Sequence, residues 1–392
     1  MVTKKTEIGV LPSDWSVATL LDCLCGKPSY GINAPAIAYS PQKPRYIRIT
    51  DITEAGTYSK SSPASVEDVN IDRYYLKKND IVLARTGASV GKSYLYQKDD
   101  GNLVYAGFLI KLSINDIVAD ARYVFACLHT QRYWQWVNTI SVRSGQPGIN
   151  GEEYSAYLLP LPSRVEQTVI ADSISDVDSL IFSLQKLIEK KKAIKQGTMQ
   201  ELLTGKKRLP GFSEEWTYRR VGELCSITKG QIITEKTAIH GNVPVIAGGK
   251  TPAFYHNVAN RKSDVITISA SGANAGYIAY HDYPIFASDC STIENSGQYD
   301  VKFIYYALLY HQQELIGMQT GGAQPHIHPK EIGVLMVPRI NQEEQRAIAN
   351  VLSDMDSEIE QLEKKLSKYQ QIKQGMMQEL LTGRIRLANQ CN

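Results

Sequence analysis

The chain has few of the features that announce an enzyme, a membrane protein or a secreted scaffold. Its six cysteines, in 392 residues, are scattered at 23, 25, 127, 225, 290 and 391. Cys23 and Cys25 form the one close pair, with no CxxC or histidine partner at metal-site spacing. Reduced structural thiols are therefore expected, and no metal. No apolar run reaches the length of a membrane span, and Met1-Val2-Thr3-Lys4-Lys5 lacks the core of a signal peptide. Both absences point to the cytoplasm. There is no Pro-Pro pair, so the Asn/Asp-Pro-Pro-aromatic signature of an amino-methyltransferase is missing. There is also no Gly-x-Gly-x-x-Gly, and the seven histidines fall into no nucleophile, base and orienter pattern. Asp172, Asp176 and Asp178 read as a solvated helix face, not a metal cluster. A non-enzyme with no cofactor of its own is expected.

Charge of one sign is also lacking. The net charge is +3. By segment, residues 1–158 carry 17 basic and 15 acidic groups, 159–209 carry 9 and 6, 210–336 carry 9 and 11, and 337–392 carry 8 and 8. A polyphosphate binder that worked by bulk charge would show far more. DNA binding, if present, rests on local patches or on a partner that supplies backbone grip.

What the chain does have is a repeat. Gln146 to Leu209 returns as Gln324 to Leu387 at a constant offset of 178. Glu166-Gln167 returns as Glu344-Gln345, and Met199 to Gly205 as Met377 to Gly383. Each copy predicts one long helix of about 40 residues, roughly 60 Å at 1.5 Å per residue. Ser163 and Asn341 are N-cap residues with Glu166 and Glu344 three places on, the pattern of a capping box. Apolar residues recur in steps of four and three at Ile170, Ile174, Val177, Ile181, Leu184 and Ile188, and again from Ile348 to Tyr369. Such a seam wants a partner helix, so Ile174, Ile181, Ile359 and Leu366 are expected to be buried between the two. Gly197 and Gly375 are expected to interrupt the last turns, and Thr204-Gly205 and Thr382-Gly383 to end them.

The rest is strand-rich. Arg45–Asp51, Asp80–Arg85 and Asp264–Ser269 read as strands, and Ala121–Val137 and Lys302–Leu315 as helical. Each region is expected to be a mixed α/β domain. Two loops occur in both regions. One is a glycine turn, Thr86-Gly87-Ala-Ser-Val-Gly91 and Ser271-Gly272-Ala-Asn-Ala-Gly276. Lys92-Ser93 follows the first, but only three residues separate the glycines and Ser93–Tyr96 reads as strand, so it is no P-loop. The other is Gln146-Pro147-Gly148-Ile149 and Gln324-Pro325-His326-Ile327, placed before each long helix, with His326 and His328 alternating as on a strand. The glycine turn reads as a tight turn or as backbone facing a phosphate chain, and the second loop as a hinge or as polar groups facing a ligand held between domain and helix.

The Leu11-Pro12-x-x-Trp15 opening, the glycine turn through Lys92, the Gln-Pro-x-Ile loop and the duplicated helix ending Gln-Glu-Leu-Leu-Thr-Gly resemble, as a set, the specificity subunit of a type I restriction-modification system. The resemblance implies an α+β fold, with two mixed α/β target-recognition domains separated by two long antiparallel coiled-coil helices. The domains would be residues 1–158 and 209–336, and the helical spacers 159–208 and 337–392. It implies that each domain reads half of a split DNA site. It further implies docking of two modification subunits, which use S-adenosylmethionine, and through them of restriction subunits, which use ATP and Mg. Base edges are best read by Arg, Lys, Asn and Gln, and phosphates by cations and amides. On that basis the candidates are Lys43, Arg45, Arg48, Arg85, Thr86, Lys92, Arg143 and Gln146 in the first domain. In the second they are Lys229, Lys250, Ser271, Asn274, Gln324 and His326. The alternatives are a coiled-coil scaffold that binds only protein and, with neither room nor motifs for a methylase, a self-contained restriction-methylation enzyme.

Overall fold

The structure is a computed structural model that describes residues 2–142, 146–295, 297, 299–321 and 324–387. It divides into two compact units. The first takes the chain through Ser183 together with the residues from Leu366 onward, and the second is Leu184–Lys365. These limits differ from the domain limits read from the sequence, because each unit holds one globular region and one half of each long helix.

In the first unit, strands β1 (Ser29–Tyr30), β2 (Arg45–Ile47), β3 (Asp80–Ala84), β4 (Ser93–Leu95), β5 (Leu103–Tyr105) and β6 (Leu109–Ser113) form two sheets. One has the antiparallel order β1-β6-β3-β4. In the other, β2 pairs parallel with β5 on one side and antiparallel with a short strand at Ala64–Ser65 on the other, beyond which Ile37–Ala38 forms the edge. All of β3 is buried because both its faces are covered. Ile81 and Leu83 enter one core with helices α1 (Ala121–Cys127) and α2 (Gln131–Ile140), while Val82 and Ala84 enter another with β5. A period of two feeding two cores explains the unbroken apolar run. The strand expected over Arg45–Asp51 stops at Ile47. Asp51 accepts from the Arg48 N–H and from its guanidinium, which curls Ile49–Asp51 into a 3-10 turn.

After α2 comes the first long helix, α3 (Arg164–Leu203). The second unit repeats the plan. Strands β7 (Ile227–Lys229), β8 (Val243–Ile246), β9 (Val265–Ser269), β10 (Ile278–His281), β11 (Phe286–Ala287) and β12 (Cys290–Glu294) give an antiparallel sheet β7-β12-β9-β10 and a parallel β8-β11 pair. Helices α4 (Val301–Tyr310), α5 (Gln312–Gly317) and, as far as Lys365, the second long helix α6 (Gln342–Leu380) complete it.

Within each unit the long helices run antiparallel. Ile170, Ala171 and Ile174 share a core with Leu380 and Leu381, and Asp178 pairs with Lys373 at 2.6 Å. In the second unit Leu202 and Leu203 share a core with Ile348, Ala349 and Leu352. Lys191 pairs there with Glu358 at 2.6 Å and Lys195 with Asp356 at 2.5 Å. Of the four seam residues, Ile174 and Ile359 are buried, whereas Ile181 and Leu366 are half-buried. Two helices alone cover only one side of each other at mid-length. Both helices continue through Gly197 and Gly375, since one glycine costs only about 1 kcal/mol. They end at Gly205 and Gly383, at φ +69° and +67°, the left-handed conformation of a helix C-terminal stop.

The helix heads depart from the expected capping box. Ser163 and Asn341 do accept from the N–H groups of Glu166 and Glu344. The glutamate side chains, however, turn inward. Glu166 accepts from Trp15 Nε1 at 3.1 Å and from Arg386 at 2.7 and 2.6 Å. Glu344 likewise accepts from Trp216 at 3.2 Å and from Arg208 at 2.6 and 2.9 Å. A buried carboxylate in water's absence is worth more against a guanidinium than against one amide. The adjacent glutamines accept from the backbone of Asp120 and Asp300, the N-caps of α1 and α4.

Of the five described cysteines all are free thiols, with Cys25 exposed and the others buried; Cys391 lies outside the described residues. Among the described residues no helix is long and apolar enough to cross a membrane.

Removing one partner of a buried pair strands the other. Glu344→Ala should lower the stability of the second unit by about 3 kcal/mol. Glu344→Gln, which keeps an acceptor for Trp216, should lose less. Denaturant unfolding of the two variants checks both statements.

Candidate nucleic-acid interface

The structure brings the two loops that occur in both regions together, in the same way twice. In the first unit Gly87 N–H donates to the Pro147 carbonyl at 3.1 Å and Ile149 N–H to the Arg85 carbonyl at 2.9 Å. In the second, Gly272 N–H donates to Pro325 at 3.0 Å and Ile327 N–H to Ala270 at 2.9 Å. Each glycine turn is a single 3-10 turn at the end of a buried strand. Gly87 and Gly272 sit at φ +72° and +77°, which a side-chain-bearing residue rarely adopts. No continuous strand forms at His326 to His328. His326 makes isolated bridges to Ser271 and Thr320, and His328 precedes a short helix opened by Pro329.

The supports behind the turns differ. In the first unit Tyr154 Oη accepts from Gly91 N–H and donates to the Ala84 carbonyl, and Tyr133 Oη donates to Gly91 O. In the second, the Gln312 and Gln319 amides donate to Gly276 and Ala275 carbonyls. At the far end of β10 from that turn, opposite Val265, burial holds His281 below the usual histidine range, with Nε2 2.9 Å from Thr267 Oγ1.

Around the first turn lie Thr86, Arg85 and Gln146, with the Gln146 amide beside Gly87. The Arg85 guanidinium stacks 4.9 Å above the Tyr30 ring, and Tyr30 and Phe108 are exposed. Arg143 lies outside the described residues. The other first-unit candidates have partners of their own. Lys43 pairs with Glu67, and Lys92 pairs with Glu54 at 2.6 Å. Arg45 stacks on Tyr39 at 5.4 Å. Arg48 gives its donors to Asp51 and to the Ser62 carbonyl at 2.7 Å, a structural task.

In the second unit Ser271, Asn274, Gln324 and His326 gather at the turn, and Ser271 donates to Asp289. Lys229 is exposed at the end of β7, in the place that Tyr30 holds in the first unit. Lys250 is exposed, its ammonium 5.7 Å from the Tyr277 ring. Sequence reasoning missed Tyr30, Phe108, Tyr154 and Asp289, none of which carries a local signal. Among the described residues no group of three or more His, Cys, Asp or Glu could hold a metal.

Two copies of one scaffold that present unlike side chains have a counterpart among known proteins. The model of the type I restriction modification DNA specificity domain matches residues 39–196 and again 213–374. The chain belongs to that family. Its domains recognise DNA sequence, and this chain carries two of them. It is similar to the type I restriction enzyme MjaVIII specificity subunit of Methanocaldococcus jannaschii, at 24% identity over 97% of this chain and 95% of that one. It is also similar to a putative type I specificity subunit of Mycoplasma genitalium, at 22% over 84% and 88%. A crystal structure of a type I S subunit from M. genitalium shares the fold, with a TM-score of 0.70 at 19% identity over 93% of this chain and 96% of that one.

The strained turn offers a test. A β-branched residue at Gly87 should cost about 1–3 kcal/mol and part the turn from Pro147. Gly87→Val should therefore weaken DNA binding as well as stability. Gly101→Val, at φ +81° on another turn, should cost similar stability and leave DNA binding unchanged.

Proposed function

We propose that each unit reads one half of an asymmetric, bipartite DNA site, and that the paired long helices fix the gap between the halves. The observation that carries this reading is the duplicated turn and loop with different residues around it. In this reading backbone amides and cations of the turns hold phosphates, while Arg85, Gln146, Asn274 and Gln324 reach base edges. Lys43, Lys92 and Lys250 are assigned to phosphates. A near-neutral chain then needs help to grip DNA, and the modification subunits supply it. S-adenosylmethionine, ATP and Mg belong to those partners and to the restriction subunits.

Docking of the modification subunits is assigned to the repeated helix tails. A cleft of about 370 Å³ beside the tail of α6 is lined by His129, Arg132, Trp134, Gln374, Met377 and Gln378. Met199 and Gln200 repeat the last two in the tail of α3, so two identical partners could meet the same pattern.

Exchanging residues 1–145 for those of a relative should change one half-site and leave the other, as read by mapping methylated sites in cells. Change in both halves would refute separate reading. The gap is tested apart from the halves. Four residues inserted after Ser183 and after Lys365 add about 6 Å to both helices. At about 3.4 Å per base pair, the accepted gap should lengthen by one or two base pairs with both halves kept. An unchanged gap would mean that the helices do not set it.

A further inference from the structure

The two faces differ in kind at one corner. The residue leading into β6 or β12 is Phe108 in the first unit and Asp289 in the second. Backbone bonds fix the equivalence. Arg85 N–H donates to Phe108 O at 3.0 Å, and Ala270 N–H donates to Asp289 O at 3.2 Å. The residues that follow, Leu109 and Cys290, pair with Ala84 and Ser269. Phe108 is 60% exposed. Asp289 is half-buried, and one of its oxygens accepts from the Ser271 hydroxyl on the glycine turn. Among the described residues no cation pairs with it.

An unneutralised carboxylate on a face that meets DNA is repelled by phosphates. It is favourable only where a donor awaits it. In the major groove the donors are the amino groups of cytosine and adenine, and adenine sets its N7 acceptor beside its amino group. A carboxylate therefore suits cytosine. Ser271 occupies Oδ2 and fixes the side chain, which leaves Oδ1 for a ligand. Phe108 has no polar atom to offer and matches the thymine methyl group.

We infer that this corner is a specificity-determining position, at which Asp289 reads the amino group of a cytosine and Phe108 reads a thymine methyl. The inference rests on the reading that both faces contact DNA. It goes further by naming a base for each.

Mapping of methylated sites with the modification subunits present tests both, each on its own readout. The wild-type chain should give a bipartite motif with a C·G pair in the half assigned to the second unit by domain exchange. No motif at all would refute the reading itself, and this inference with it. With a motif in hand, Asp289→Asn should move that one pair toward A·T, because an amide offers donor and acceptor together. The ratio of the two bases should change on the order of tenfold or more. Asp289→Ala should admit any base there, and Phe108→Ala should release one thymine in the other half. The wild-type motif in both Asp289 variants, at full or reduced methylation, would overturn the inference while the DNA reading stood. So would loss of methylation at every base in both.

Discussion

Each long helix begins on a glutamate that the fold takes out of water, and a buried carboxylate must be met from every side. Glu166 and Glu344 are 6% and 1% exposed. Each is met by the indole of the domain's opening tryptophan and the guanidinium beyond the end of the other copy's helix. The neighbouring glutamine holds the first turn of a domain helix. One charge thus fixes where the helix starts, where the globular region packs on it and where the partner helix stops. The strand pairs Ser16–Thr19 with Leu158–Leu161, and Thr217–Arg220 with Met336–Arg339, tie the same joints from the other side.

The glycine turns depend on this frame at one remove. Their strands are buried on both faces, so the turns leave a rigid edge and cannot slip by a residue without exchanging two cores. Rigid backbone with variable side chains is what sequence reading requires. The first face carries an arginine stacked on tyrosine beside a phenylalanine. The second carries a lysine, a loop with two histidines and a carboxylate held by the Ser271 hydroxyl. The second region is awkward for bulk attraction to DNA, with 9 basic and 11 acidic groups, and in the reading inferred above one of those acids, Asp289, faces a base.

Much of this was legible beforehand, because it is local or periodic. The long helices show in their four-three spacing, the glycine turns in their glycines, and the unlike domains in the 23-residue difference between the Trp15-to-Trp216 interval of 201 and the helix offset of 178. What was not legible is non-local. Arg386 lies 220 positions from Glu166, so the glutamate at N3 looked like a capping-box member. Arg48, a candidate DNA contact, gives its donors to Asp51 and to the Ser62 carbonyl 14 positions on. Tyr154 reaches the glycine turn across 63 positions, and Asp289 joins Ser271 across 18. Spacing cannot announce partners chosen by tertiary packing.

The exchange of helix tails has a consequence for how the chain is made. The second unit is one unbroken stretch, complete once Lys365 has left the ribosome. The first unit is emitted earlier, yet it lacks Leu380, Leu381 and Arg386 until the end of α6 and the residues just past it emerge. Trp15 is already there to donate to Glu166, but the guanidinium of Arg386 comes 220 residues later. Domains made first usually fold first. Here the order is reversed, and the half of the protein that is translated first is the half that finishes last.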